Sequence, residues 1–213
     1  RIHENAGLLA QKLLLSFSLL LFSLNGIAAE KKMMHHVTGK ECGECHQQVY
    51  QQWKGSMHAQ SSALKDPIHG AFYRAVMGDP TKEGLKKKGK YPVCLKCHAP
   101  AAAKDGKTDL TANPAYNDGV NCTTCHGFTK FKGTKKEGGG LRLGISAYEH
   151  SDTHIQGPSG RVVHPEVDAK GRTAPMFPIV GNQTVLKTNA VCMGCHDQRK
   201  NGKGVPLCNT GDE

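Results

Sequence analysis

The sequence predicts a mainly α chain with extensive irregular loops, little or no β-sheet, and a core supplied largely by bound groups. Three observations lead there. Only 38% of the 213 residues are apolar and 6% aromatic, thin material for a core. Glycine (25) and proline (10) punctuate the chain throughout, which limits long regular elements. Eight of the nine cysteines fall in four copies of one pentapeptide: Cys42-Gly43-Glu44-Cys45-His46, Cys94-Leu95-Lys96-Cys97-His98, Cys122-Thr123-Thr124-Cys125-His126 and Cys192-Met193-Gly194-Cys195-His196.

Each copy is C-x-x-C-H, the attachment motif of c-type haem. The two cysteines of each motif form thioethers to the vinyl groups of one haem, and the histidine reaches the iron from one side. Two intervening residues let both sulfurs meet the porphyrin edge. A lone C-x-x-C also suits a redox dithiol or half a zinc site. Neither chemistry calls for a histidine after every pair. Four covalently attached haem c groups are expected, and each porphyrin is a large apolar disc that makes good the thin core.

Taken in order, residues 1–29 read as a secretory signal. Arg1 and Lys12 precede the apolar run Leu13–Leu24, and Gly26-Ile27-Ala28-Ala29 offers a small-residue cleavage site. The run falls short of the roughly 20 residues a spanning helix needs. No stable membrane span is expected in the mature chain, and its compartment would be the periplasm or the cell exterior. Residues 30–213 then form one domain carrying four haems. The chain opens on Arg1 and closes at Glu213, soon after a ninth cysteine, Cys208, so the sequence leaves either end open as incomplete.

The formal charge is +10. Haem propionates, two per group, would offset most of it. The chain carries no nucleic-acid motif, and export argues against that partner class.

Residues 30–41 are polar, hold His35 and His36, and read as a mobile arm. From Glu41 to about Leu64 the pattern is helical, with Val49, Tyr50, Trp53 and Met57 on one face and Gly55 as a weak point. On a continuous helix His58 would stand about 18 Å from His46. It would therefore cap a neighbouring iron, not the one His46 binds. Asp66-Pro67 reads as a turn, Gly70–Met77 as a short helix and Gly78-Asp79-Pro80 as its break. Lys82, Lys86, Lys87, Lys88 and Lys90 form either a solvated loop or a docking patch for an acidic redox partner, which salt would screen. The Ala-, Asp- and Asn-rich link from Pro100 to Pro114 reads as loop, and its shortness makes the second and third haems neighbours. A second basic run (Lys130, Lys132, Lys135, Lys136) ends at Gly138-Gly139-Gly140. Residues 141–190 read as an irregular excursion that supplies distal ligands.

The chain has 12 histidines. His46, His98, His126 and His196 are the proximal iron ligands, and His3 lies in the signal. The distal candidates are His35, His36, His58, His69, His150, His154 and His164. Four would cap all irons. Met57, Met77 and Met176 are the weaker thioether alternatives. Bis-histidine ligation suits electron transfer and blocks substrate access.

The stretch from Cys42 to His46, followed by Trp53 and His58-Ala59, resembles the multihaem cytochromes c of the cytochrome c554 type. So does Gly119-Val120-Asn121-Cys122-Thr123-Thr124-Cys125-His126-Gly127. The resemblance runs over about residues 39–200 and implies a haem-dominated multihaem cytochrome c fold with haems stacked in close pairs. It further implies that a histidine placed like His58 caps the third haem, and that one placed like His150 or His154 caps the first. The family example leaves its second haem open. The chain is also similar to extracellular tetrahaem cytochromes that polymerise into filaments, where a neighbour's histidine caps one haem. His35 and His36 would be candidates for that role.

The sequence thus points to an exported tetrahaem c-type cytochrome that transfers single electrons between redox partner proteins, with a filament subunit as its narrower form. A second reading is a haem enzyme acting on a small nitrogen or sulfur species at one open, five-coordinate haem. Against it, no C-x-x-C-K motif is present. A third is a haem-bearing assembly partner or a piece of a longer multihaem chain, to which Cys208 would belong.

Overall fold

In the computed structural model, the described residues are 32–198, except 168, 170 and 172, together with the backbone of 208–209. The signal segment lies outside them, and Cys208 enters only as backbone.

The segment expected to be a mobile arm is docked. Met34 and Val37 are each 1% exposed and pack with Phe177, against Cys42 and Ile155. A 3-10 turn spans Met34–His36. Thr38 then caps helix α1 (Gly39–Gly43) through a reciprocal box: Glu41 N–H donates to Thr38 Oγ1 (3.3 Å) and Thr38 N–H to the Glu41 carboxylate (2.8 Å). The polar spelling of this stretch therefore encodes a helix start, not a free arm.

The single helix expected over 41–64 is broken into α1, α2 (Gln47–Lys54) and α3 (Met57–Gln60). Ser56 causes the second break. Its backbone is extended and its side chain accepts from Ala59 N–H, so it begins a new helix and does not continue the old one. Trp53 lies flat on Gly39, where a Cβ would stand 2.4 Å from the ring. Its Nε1–H donates to the Val120 carbonyl (2.8 Å), tying α2 to the chain entering the third motif.

Helix α4 spans Pro67–Val76. The Asp-Pro pair read as a turn is its N-terminus. Asp66 accepts from the backbone N–H groups of Ile68 and His69, and proline sits at the first helical positions, where a missing N–H costs nothing. The basic run that follows is an exposed turn closed by paired Lys87–Lys90 backbone bonds, both 3.0 Å.

The alanine-rich link is core, not loop. Helices α5 (Leu95–His98) and α6 (Pro100–Lys104) and the 3-10 turn Pro114–Tyr116 bring Leu95, Ala99, Ala101, Ala102, Ala115 and Tyr116 against Tyr73, Ala63 and Leu110. Small side chains let these short helices approach closely, and Pro100 presets the first turn of α6. Helix α7 (Cys122–His126) is capped by Asn121, which also donates to the Val37 carbonyl (3.1 Å).

Beyond α7 the chain makes two-stranded pairs. β1 (Phe128–Phe131) runs antiparallel to β2 (Tyr148–His150), with Phe128 stacked on Tyr148 at 3.7 Å. β3 (Ile155–Gly157) lies parallel to β6 (Ile179–Gly181), and β4 (Glu166–Val167) antiparallel to β5 (Thr173–Ala174). Helices α8 (Gln183–Leu186) and α9 (Ala190–His196) follow, and β7 (Asp197–Gln198) pairs β8 (Cys208–Asn209). The mainly helical and loop architecture with minor sheet is the one expected. The 141–190 stretch is more ordered than an excursion, however. Asn182 caps α8 and binds the Thr129 carbonyl (2.9 Å), holding α8 to β1.

Candidate haem centres

All four C-x-x-C-H motifs lie on or at the end of a short helix: α1, α5, α7 and α9. One helical turn puts both cysteines and the following histidine on adjoining faces. The fold then gathers the motifs. Cys42 and Cys122 are hydrogen-bonded to one another, as are Cys97 and Cys195, and Cys125 lies near Cys192. The first motif is thus beside the third, the second beside the fourth, and the third near the fourth. The second and third motifs, expected to be neighbours from their spacing, line one cavity with the fourth, while the Cys42–Cys122 and Cys97–Cys195 pairings have no counterpart in sequence distance. The Tyr148 segment ties the second motif to the fourth. Gly144 packs on the Lys96 carbonyl, and the Tyr148 hydroxyl accepts the Gly194 N–H (2.9 Å).

None of the eight motif cysteines is joined in a disulfide. A cavity of about 340 Å³ is lined by Cys97, Cys125, Cys192 and Cys195 together with His58, His98 and His196. Two proximal histidines are oriented through their outer nitrogens. His126 Nδ1–H donates to the Gln156 carbonyl (2.7 Å) and His98 Nδ1–H to the Ser61 carbonyl (3.1 Å). A carbonyl can only accept, so the proton sits on Nδ1 and Nε2 keeps its lone pair for a metal. These donors fit haem c.

Residues 41–127 match the family model described as cytochrome c554 and c-prime. A curated relative, cytochrome c-554 of Nitrosomonas europaea, is 28% identical over 102 residues, covering 47% of this chain and 42% of the relative. The crystal structure of a penta-haem cytochrome c552 from Thermochromatium tepidum superposes with a TM-score of 0.78 at 47% identity, over 85% of this chain and 51% of that one. This chain is similar to multihaem c-type cytochromes. It resembles the cytochrome c554 type in the region of the first three motifs, and it spans about half the length of the relatives it matches.

The chain's remaining histidines separate clearly. His58 faces His196 of the fourth motif, with ring centroids 6.0 Å apart and planes at 57°. Two imidazoles sharing one metal at bonds of about 2 Å would have centroids about 6 Å apart. The resemblance had implied the third haem for His58, and the structure sets its ring against the fourth motif. Burial and the nearby His196 hold its pKa down, keeping the imidazole neutral. His69 stacks on His98 at 3.8 Å, too close for a metal between them. Its Nδ1–H shares the Ser61 carbonyl, and its buried Nε2 has no partner.

His150 donates Nε2–H to the Ile145 carbonyl (2.8 Å), leaving Nδ1. His154 is exposed, with Nδ1 held by the Thr153 hydroxyl (2.7 Å), and precedes Ile155, which packs beside Cys42. His164 is exposed, as are Met57 and Met176, while Met77 packs into the second-motif core. His35 and His36 both donate to Asp105, at 2.7 and 2.5 Å. Neither is positioned as a free donor to a neighbouring subunit.

Sequence reasoning missed the Ser61 and Gln156 carbonyls, since any residue supplies a carbonyl. It also missed Tyr148 as the link between motifs. Gly119 could have been found. It has φ of +71°, and a Cβ there would stand 2.4 Å from the His58 carbonyl. No described helix is long and apolar enough to cross a membrane.

Proposed function

We propose that the protein is an exported tetrahaem electron carrier, active in the periplasm or cell exterior, passing single electrons between redox partner proteins. The observation that carries this reading is the contact of thiols between motifs one and three and two and four, with Cys125 of the third and Cys192 of the fourth lining one cavity. Four attachment points gathered this way make one contiguous array, not four isolated sites. Cys42/Cys45, Cys94/Cys97, Cys122/Cys125 and Cys192/Cys195 would hold the four groups. When bound, haem supplies the one-electron change at iron.

The chain's own residues do the rest. Gln156 and Ser61 fix the proton of His126 and His98 on Nδ1 and aim Nε2. His58 and His196 form the best-placed axial pair. The exposed lysines between 82 and 90 offer an acidic partner a docking face beside the second motif.

A second reading has one specific observation in its favour. His69 stacks beside His98 instead of standing across a metal from it, so the second haem would lack that cap and could admit a small molecule. Low-temperature EPR of the oxidised holoprotein, with haem content from pyridine haemochrome, separates the two. Four low-spin haems per chain are expected for the carrier. A stoichiometric high-spin haem would establish the open-site reading. His58→Ala should convert one haem to high spin while all four thioether pairs persist. An unchanged low-spin spectrum would remove His58 from the axial set.

A further inference from the structure

Away from the four motifs, the 3-10 turn Met34–His36 docks against α6 and the Pro114–Tyr116 turn. His35 Nε2, His36 Nε2 and an Asp105 carboxylate oxygen there lie within 4.8 Å of one another. The Tyr116 hydroxyl donates to Asp105 Oδ2 (2.5 Å) and fixes the carboxylate from behind. We propose that His35, His36 and Asp105 form a binding site for one divalent transition cation of the zinc class, which would pin the N-terminal segment to the body of the protein.

The donor set decides the class of ion. Calcium and magnesium take oxygen cages, and cuprous ion favours thiolate and thioether. Two imidazoles and one carboxylate, with a fourth position left to water, are a zinc-type set. Metal bonds of about 2 Å place ligand atoms roughly 3.3 Å apart. His35 meets Asp105 Oδ1 at 2.7 Å and His36 meets Oδ2 at 2.5 Å, so with the carboxylate gripping the ion through both oxygens each contact would have to open by less than about 1 Å. They can, because the His36 and Asp105 side chains are 25% and 24% exposed, which also gives an ion its way in. The protonation states suit a ligand set. Burial, outweighing Asp105, keeps His35 neutral, and hydrogen bonds from His36, Tyr116 and His35 overcome burial to hold Asp105 ionised, with its pKa down at about 2.

A second observation agrees. His35 Nδ1 is buried without a partner among the described residues, and His35 lines a cavity of about 20 Å³ together with Pro100, Ala101 and Gly127. Metal on Nε2 would shift the ring proton to Nδ1. The cavity has room for one water to accept it, since a single water needs roughly 10–15 Å³. This is the outer partner that metal-bound histidines ordinarily have.

The test is calorimetric titration of Zn²⁺ into the purified haem-loaded protein, beside His36→Gln and Asp105→Asn. Glutamine keeps a donor toward Asp105 while removing the imidazole, so a purely structural contact would survive it. One equivalent of Zn²⁺ is expected in the parent protein, weakened tenfold or more in each variant, with haem content unchanged. Equal uptake by all three proteins would assign the zinc to scattered surface histidines and propionates and overturn the site. Absence of uptake by the parent protein would overturn it equally. Neither outcome depends on how the haems are ligated.

Discussion

The surroundings of the second motif and those of the first are built on different principles. Around the second, Leu95, Ala99, Ala102 and Leu110 are fully buried, and Tyr73 and Tyr116 close the cluster. Around the first, α2 buries none of its residues, with Val49 61% exposed, and Met57 at the start of α3 is 71% exposed. What holds the first motif is a capping box, a tryptophan lying on a glycine, a single indole hydrogen bond and a small cluster of Met34, Val37 and Phe177 packed against Cys42. One region has a large side-chain core of its own. The other has three buried apolar side chains and leans more on local polar contacts.

The sharpest way to break that contrast is a pair of truncations. Leu95→Ala should destabilise the protein by about 2–5 kcal/mol, the usual cost of a large-to-small change in a filled core. Val49→Ala, on α2, should stay within about 0.5 kcal/mol. Denaturant unfolding of both holoproteins measures this. Equal losses would mean that the first region's core matches the second's after all.

Gly119→Ala comes next. The residue joins the two regions: the following Val120 N–H bonds the His58 carbonyl (3.0 Å), and its own Cα faces that same oxygen. A side chain there meets both the left-handed backbone, costing roughly 1–2 kcal/mol, and the close carbonyl. We expect a loss of at least about 2 kcal/mol, with altered haem spectra because His58 is displaced. A stability change without a spectral one would uncouple His58 from this contact.

How much of this was legible in the sequence follows from the same contrast. The motifs were, because thioether chemistry fixes residue type and spacing locally. So was the helical, loop-rich class. The pairing of motifs was not. Cys42 meets Cys122 through Trp53, Val120 and the docked Val37–Asn121 contact, none of which has a sequence signature at that range. The alanine link was misread because its Asp, Asn and proline residues were given more weight than the helix preference of its alanines. The break at Ser56 was written in the sequence as an N-cap, but the apolar periodicity running through it hid the signal. The distal histidines were over-supplied, and only the carbonyl or carboxylate each one binds tells them apart.

The helix of the third motif gives a smaller effect. Asn121 caps α7 by accepting from Thr124 N–H (3.1 Å) and, through its amide, reaches the Val37 carbonyl. Asn121→Ala should cost about 1 kcal/mol for the cap, and somewhat more if the buried Val37 carbonyl finds no other donor. Thermal unfolding of the haem-loaded variant checks it. A change under a few tenths would show that attachment at Cys122 and Cys125, not capping, sets the helix.

The smallest effect is expected at acid pH, because about a quarter of the Asp105 side chain faces solvent. Its folded pKa, about 2, lies below the ordinary carboxylate value near 3.9. A carboxyl with a depressed pKa stabilises the fold fully above its unfolded value and loses that contribution as pH falls through the folded one. The groups facing it are His35, His36 and Tyr116, with Lys104 close by and itself paired to Asp152. His35, also depressed, by burial, loses its share as pH falls from its ordinary value of 6.5 through its lower folded value. The parent protein should weaken more steeply than Asp105→Asn between about pH 4 and pH 2, and the two curves should run parallel above about pH 7, where His35 is neutral folded or unfolded. Parallel curves throughout would mean that the docked segment is held by Met34 and Val37 alone, making the first-motif region less dependent on polar stitching than the contrast with the second requires.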